Sequence, residues 1–250
     1  DVDAVVASND GTAGGAVAAL TAPFKTNLMR RGIAGDKISV VMNGVDLTRY
    51  GPRDRDADLA KDWSVDGKFV VGYIGTHGMA HGLMNVLDAA ELLRDDPRLC
   101  FLLVGDGAER AHLVQSARDR NLDNVVLIPA QPKENMPRIW SICDVALVHL
   151  RASPVFAEVI PSKTFEAMAM GVPVLLATPR GEASRILADD EAGMHVTPED
   201  PKALADAVLK FAEDTALLKK FGESALAAAP RHTRLRQAQE MLQTLEIAAA

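Results

Sequence analysis

Five short runs of β-branched and apolar residues, at positions 69–74, 99–104, 125–128, 145–150 and 174–177, recur along this chain with sequence of helical period between them. Runs that are apolar throughout have no face for water, so they belong in a parallel sheet covered on both sides. Between them, Leu83, Val86, Leu87 and Ala90 fall at i, i+3, i+4 and i+7, one stripe of a helix. Leu113 with Ala117, and Leu204 with Val208 and Phe211, repeat that spacing. Strands alternating with helices predict an α/β, doubly wound architecture. For the helix carrying Leu204, Thr197 as cap, Pro198 at the first position and Asp200 as the acid of a capping box predict the start.

The flanks read differently. Residues 37–41 suggest another short strand, and Asn43-Gly44-Val45-Asp46 with Gly51-Pro52 forms a turn-rich connector, so a boundary is expected near residue 52. Residues 233 to about 247 read as a terminal helix with Leu235, Ala238, Leu242 and Leu245 on one side. The organisation expected is thus 1–20, 21–52, 53–232 and 233–250. A formal net charge of −7, without a Lys/Arg cluster, argues against a nucleic-acid partner, whose phosphates demand one. Two cysteines, Cys100 in an apolar run and Cys143 in a stretch of helical character, lack disulfide or zinc spacing and read as reduced thiols, which favours the cytoplasm. No apolar run reaches bilayer length, and the first residues lack a basic-then-apolar leader.

In an open parallel sheet ligands bind beyond the carboxyl ends of the strands, where helix N-termini offer unpaired N–H groups to anions. The first such loop, Gly75-Thr76-His77-Gly78 with His81-Gly82, has glycines that let a phosphate approach the backbone, or that simply make a tight turn. The second, Gly105-Asp106-Gly107, begins like a dinucleotide fingerprint, but Arg110 stands where the third glycine belongs, and Asp123, the candidate ribose acid, reads as part of a surface turn. Without that fingerprint a nicotinamide-dependent oxidoreductase is disfavoured. The third is Pro129-Ala130-Gln131. The fourth runs from His149 to Lys163, where Ser162 is expected to cap a helix over 164–170 that Gly171 and Pro173 end. Glu158 on the approach and Glu166 in that helix's first turn suit hydrogen bonds from sugar or ribose hydroxyls; Glu166 alone also suits compensation of the helix dipole, and Lys163 also suits a solvated surface.

These residues resemble the family-4 retaining glycosyltransferases of the two-Rossmann-domain, or GT-B, type. The pattern is Glu158-x7-Glu166 followed by Ala169-Met170-Gly171-Val172-Pro173-Val174; Asn43-Gly44-Val45-Asp46 with Tyr50, Val104 to Gly107, Asp144-Val145, Glu182 and Gly193 extend it over residues 21 to 250. Ile160-Pro161-Ser162-Lys163 is most similar to bacterial surface-polysaccharide transferases such as the N-acetylfucosamine transferases. The resemblance implies a Rossmann-like half of the GT-B fold whose partner is a nucleoside diphosphate sugar, UDP-linked. It implies transfer without a cofactor or metal to a saccharide or lipid-linked acceptor, with peripheral membrane association of the full enzyme. By the same resemblance Glu158 contacts the sugar and has a catalytic role with Lys163, Glu166 holds the ribose, and Gly75, Thr76, His77, His81 and Ser162 hold the diphosphate. Gly105 and Asp106 adjoin the last group, and Pro129 and Gln131 lie against the base. Where the family commonly places Arg and Lys in the first loop, this chain has Thr76, His77 and His81. Lys163 is the expected substitute, or donor affinity rises as pH falls. Residues 1–20, with Asn9 and Asp10, resemble a strand-loop-helix piece of xylose-type periplasmic binding proteins, which reads as a fusion or chimera. The alternative function is a binding or scaffold protein that keeps the fold without catalysis.

Overall fold

The computed structural model describes residues 21–32, 38 and 40–249. The resemblance read at residues 1–20 lies outside them. After α1 (Ala22–Arg30) and a connector, α2 (Ala57–Asp62) leads into β1 (Phe69–Ile74), α3 (Met84–Leu92), β2 (Leu99–Val104), α4 (Arg110–Asp119) and β3 (Val125–Ile128). Then follow α5 (Met136–Ser141), β4 (Val145–His149), α6 (Ser162–Ala169), β5 (Val174–Ala177), α7 (Glu182–Asp189) and β6 (Gly193–Val196). Helices α8 (Pro201–Glu213), α9 (Thr215–Ala228) and α10 (Arg234–Ala249) end the chain.

The sheet is parallel throughout, in the order β3-β2-β1-β4-β5-β6. The expected α/β, doubly wound architecture is present. Side-chain alternation divides the strands between two cores. Val70, Ile74, Leu102, Val104, Val148 and Leu176 point to the face that buries Trp140 and Phe165, from α5 and α6. Val71, Tyr73, Phe101, Leu103, Leu147 and Leu175 point to the face that buries Leu87, Leu113 and Phe211, from α3, α4 and α8.

Several local expectations are corrected. Residues 38, 40 and 41 have no strand assignment, β4 stops at His149, and β6, a strand not foreseen, forms the edge. Cys143 lies past the end of α5 rather than within a helix. The cap of α8 is Asp200, whose carboxylate accepts from the Ala203 N–H at 2.9 Å, with Pro201 at the first position. The Thr197-Pro198 pair precedes a turn in which Glu199 has φ +56°, so the helix cannot begin there. For α6 the cap is Pro161 in extended conformation, and Ser162 is the first helical residue.

The connector and the start of α10 cross. Val45 forms a bridge with Thr233, the Val45 N–H donates to the His232 carbonyl at 2.8 Å, and the Arg234 N–H donates to the Val45 carbonyl at 2.9 Å. A Cβ on Gly44 would lie 2.6 Å from the Thr233 carbonyl carbon, so glycine is required for the approach. Beyond the crossing α10 leaves Leu235 and Leu242 70% and 59% exposed, an apolar side without a partner among the described residues.

Phe211 fills the core between α8 and the sheet with none of its surface in water. Phe211→Ala should lower unfolding free energy by about 3–5 kcal/mol, the range for truncating a buried aromatic. Leu226→Ala, at a position 38% exposed, should cost far less, and guanidinium titration of the two variants against the parent compares them.

Candidate functional site

The order of the strands selects the site. Helices after β1 and β4 pass to opposite faces of the sheet, so the loops that leave these neighbouring strands diverge and open a crevice between them. The loop after β1 reaches Gly75, and the one after β4 leads through residues 154–158 to α6.

Close backbone packing shapes the β1 side. Gly75 has φ +149°, and a Cβ there would lie 2.6 Å from Lys163 Nζ. Gly105 and Gly107, at φ +156° and +152°, lie so near the first loop that added Cβ atoms would meet the Gly75 and His77 carbonyls. The His77 N–H donates to the Asp106 carbonyl at 2.8 Å, and Asp106 Oδ1 accepts from the Gly107 N–H at 2.8 Å. These glycines therefore set the approach of two loops, whichever ligand the loops hold.

Lys163 occupies the second helical position of α6. Its stem meets solvent, but its Nζ is buried, has no hydrogen-bond partner among the described residues, and lies 3.8 Å from the centroid of the Tyr73 ring. Burial is the chief reason its ammonium pKa drops to about 7, while Glu166 pulls it upward. Tyr73 is fixed by donating its hydroxyl to the Thr76 carbonyl at 2.7 Å. Both ring nitrogens of the fully buried His77 and Nδ1 of His81 are likewise unpartnered among the described residues. The two rings lie 6.0 and 5.9 Å from that of Tyr73, and burial lowers each pKa to about 4.

His149, at the end of β4, ties the two loops together. Its Nδ1 pairs with the His81 carbonyl at 2.7 Å and its Nε2 with the Asn85 side chain at 2.9 Å. Burial lowers the pKa of this ring to about 4, although both of its nitrogens face oxygens, the His81 carbonyl and Asn85 Oδ1.

Glu166 lies in the second turn of α6, which has no acid in its first turn; dipole compensation there is accordingly removed as its role. Trp140 Nε1 donates to Glu166 Oε2 at 3.4 Å, the Tyr50 hydroxyl also hydrogen-bonds the carboxylate, and burial raises the Glu166 pKa despite both donors and Lys163. Tyr50 comes from the connector, a partner that sequence spacing did not reveal. Glu158 ends the 3-10 turn Pro154–Glu158, half-buried. That turn rests on Gly181, where a Cβ would lie 1.9 Å from the Ala157 carbonyl oxygen.

The crevice thus brings together Gly75, His77, His81, Lys163 and Glu166 with their two supporting aromatics, Tyr73 and Tyr50. Thr76 and Asp106 are exposed at its border, and Ser162 stands half-buried beside Lys163. Pro129 and Gln131, beyond β3, contact each other through the Gln131 side chain and the Pro129 carbonyl at 3.1 Å.

The sequence profile of the family described as glycosyl transferases group 1 matches residues 54–227. D-inositol 3-phosphate glycosyltransferase of Nocardia farcinica is 31% identical over 222 residues, covering 85% of this chain and 48% of that protein. The putative colanic acid biosynthesis glycosyl transferase WcaI of Escherichia coli is 30% identical over 158 residues, covering 62% and 38%. The chain spans less than half the length of either relative. Among solved structures, Anabaena HepE in complex with UDP-glucose superposes with a TM-score of 0.78 at 24% identity, covering 92% of this chain and 62% of that one. This likeness establishes the fold as a Rossmann-like half of the GT-B type.

Acid should act on the fold through the same buried rings. His77, His81 and His149 have folded pKa values near 4 against 6.5. Their neutral forms therefore contribute stability that is complete above the unfolded value and is lost as pH falls from 6.5 toward 4. The melting midpoint should decline across that window, and His77→Leu should decline less. A midpoint independent of pH between these values would contradict neutral burial.

Proposed function

As the chain belongs to the glycosyl transferases group 1 family, we propose that it forms the donor-binding half of a retaining transferase. Its donor is a nucleoside diphosphate sugar, UDP-linked, and its acceptor a saccharide or lipid-linked glycan of surface-polysaccharide assembly. One observation carries the reading: a buried, unpartnered amine and a buried carboxylate, Lys163 and Glu166, stand one turn apart on α6 at the crevice between β1 and β4. A ligand with an anionic centre beside vicinal hydroxyls is complementary to that pair; the dianion meets the cation, and the hydroxyls donate to the carboxylate.

On this reading Glu166 accepts from the ribose, and Glu158 from the transferred sugar. The Gly75 loop, with Thr76, His77 and His81, and the N-terminal amides of α6 at Ser162 hold the diphosphate with Lys163. Gly105 and Asp106 support that loop, and Pro129 and Gln131 lie along the base. Stabilising the departing diphosphate is the main electrostatic task of these groups; its oxygen then takes the acceptor proton on the same face of the sugar, which gives retention without a metal. The Ile160 to Lys163 segment and the glycine loop after β1 support a transferase of the surface-polysaccharide kind, similar to the N-acetylfucosamine transferases. A cytoplasmic supply of nucleotide sugar and a lipid-linked acceptor would bring the full enzyme to the membrane surface. Among the described residues no helix is long and apolar enough to cross it.

Calorimetric titration with UDP-glucose and GDP-mannose tests the reading, which expects binding of the uridine ligand. Neither binding at millimolar ligand would sink it. Glu166→Ala should weaken binding by about 1.5–3 kcal/mol, the cost of hydrogen bonds to a charged group, and should weaken the 2′,3′-dideoxyribose analogue much less. Equal losses would detach Glu166 from the ribose.

A further inference from the structure

Within the donor-binding reading, the way Lys163 is held gives the site a proton requirement. A permanently charged pair of side chains in the first loop would hold a diphosphate without any change of protonation. Here the polar atoms that crowd the pocket are of another kind: one amine and three imidazole nitrogens, all buried and all without a hydrogen-bond partner among the described residues. The amine rests on the face of Tyr73 at 3.8 Å, with Gly75 giving it room. Tyr73 cannot move aside freely, because its hydroxyl is committed to the Thr76 carbonyl.

We propose that the pocket binds a nucleoside diphosphate sugar with Lys163 in its ammonium form, so that the neutral fraction of the free amine takes up a proton from solvent as Nζ turns from the Tyr73 ring to the diphosphate oxygens. The step is a proton transfer alone: a buffer acid gives up its proton and the lone pair of the amine takes it as a third N–H bond, with no other bond formed or broken.

The surroundings of Lys163 determine which group takes that proton. Tyr73 faces it from β1, His77 and His81 from the loop after β1, His149 from β4, and Glu166 from its own helix. Arg110 of α4 and Asp106 of the loop after β2 act on His77 with opposite signs. Among the described residues Glu166 is the acid that acts on the amine, and burial outweighs it, so the amine titrates near 7. The three imidazoles titrate near 4 and are neutral at that pH. A dianionic diphosphate stabilises the ammonium and raises its pKa. Affinity is then fully present below pH 7 and is lost as pH climbs above it.

Two candidate proton acceptors give opposite trends. If Lys163 takes the proton, uptake should grow with pH, from about 0.1 proton per ligand at pH 6 to about 0.5 at pH 7 and about 0.9 at pH 8, as the free amine loses its own proton. If an imidazole takes it, uptake shrinks over the same range, because a histidine near a phosphate still titrates around neutrality. UDP-glucose is the suitable probe, since its doubly esterified diphosphate lacks the ionisation that a terminal phosphate has near about pH 6.

The experiment is calorimetric titration of the full chain with UDP-glucose at pH 6, 7 and 8, each in two buffers of different ionisation enthalpy. Proton uptake that rises with pH is expected, with apparent affinity about tenfold weaker at pH 8 than at pH 6. Lys163→Met should abolish the uptake and leave a weaker, pH-independent affinity. Binding by the parent with no uptake, with uptake that falls as pH rises, or with uptake that survives Lys163→Met overturns the proton requirement alone. No binding under any condition overturns it together with the donor-binding reading.

Discussion

A wholly parallel sheet must be covered on both faces, and the cost of leaving either face wet constrains everything else in this chain. Because β1 is flanked by β2 and β4, the coverings that follow β1 and β4 go to opposite sides. The diverging loops cannot close over the strand ends between them. The site is thus a product of how the core is sealed rather than an addition to it, and Tyr73 shows the connection directly. It is a core residue with none of its surface in water, yet its ring is the seat of Lys163.

Helix α6 joins three parts of the molecule through successive side chains. Lys163 reaches the β1 loop, Phe165 stacks on His232 with centroids 4.7 Å apart, and Glu166 meets Tyr50 and Trp140. His232 in turn pairs with Asp190 at 2.6 Å and lends its carbonyl to Val45. Both segments that cross at Val45 and Thr233 therefore lean on the helix that supplies the two charged site residues. A shift of the connector would be felt at Glu166 through the Tyr50 hydroxyl, and a shift of α10 through the Phe165–His232 stack.

Much of this was legible in the sequence where one physical signal dominated. Strands buried on both faces appear as uninterrupted apolar runs, and four of the five were bounded to the residue. β6 escaped because its Gly-Met-His-Val shows neither apolar continuity nor alternation, whereas β3, equally half-buried at the opposite edge, keeps an unbroken apolar run. The helix starts were misplaced for a related reason. Thr197-Pro198 and Asp200-Pro201 are both a capping residue followed by proline, and only the left-handed turn at Glu199 decides between them. At Ser162, Pro161 already supplies the extended residue before the helix. The site was legible as a set of residue types, but not as an environment: no spacing rule shows that the Lys163 amine is sealed under the Gly75 loop, or that Glu166 is held from the connector by Tyr50.

That environment changes what the histidines mean. Read as substitutes for cations, His77 and His81 are poor ones, since burial keeps both neutral at pH 7. Read with Lys163, they have a second effect. A second and third permanent cation in this pocket would repel the ammonium and push its pKa lower still, and each would add its own desolvation penalty in the absence of ligand. Neutral rings leave one titrating amine, near 7, in a pocket that carries that charge only in part at neutral pH and takes on the full charge when an anion arrives. The substitution at the first loop therefore moves the cost of the cation from folding to binding, where the anion offsets it.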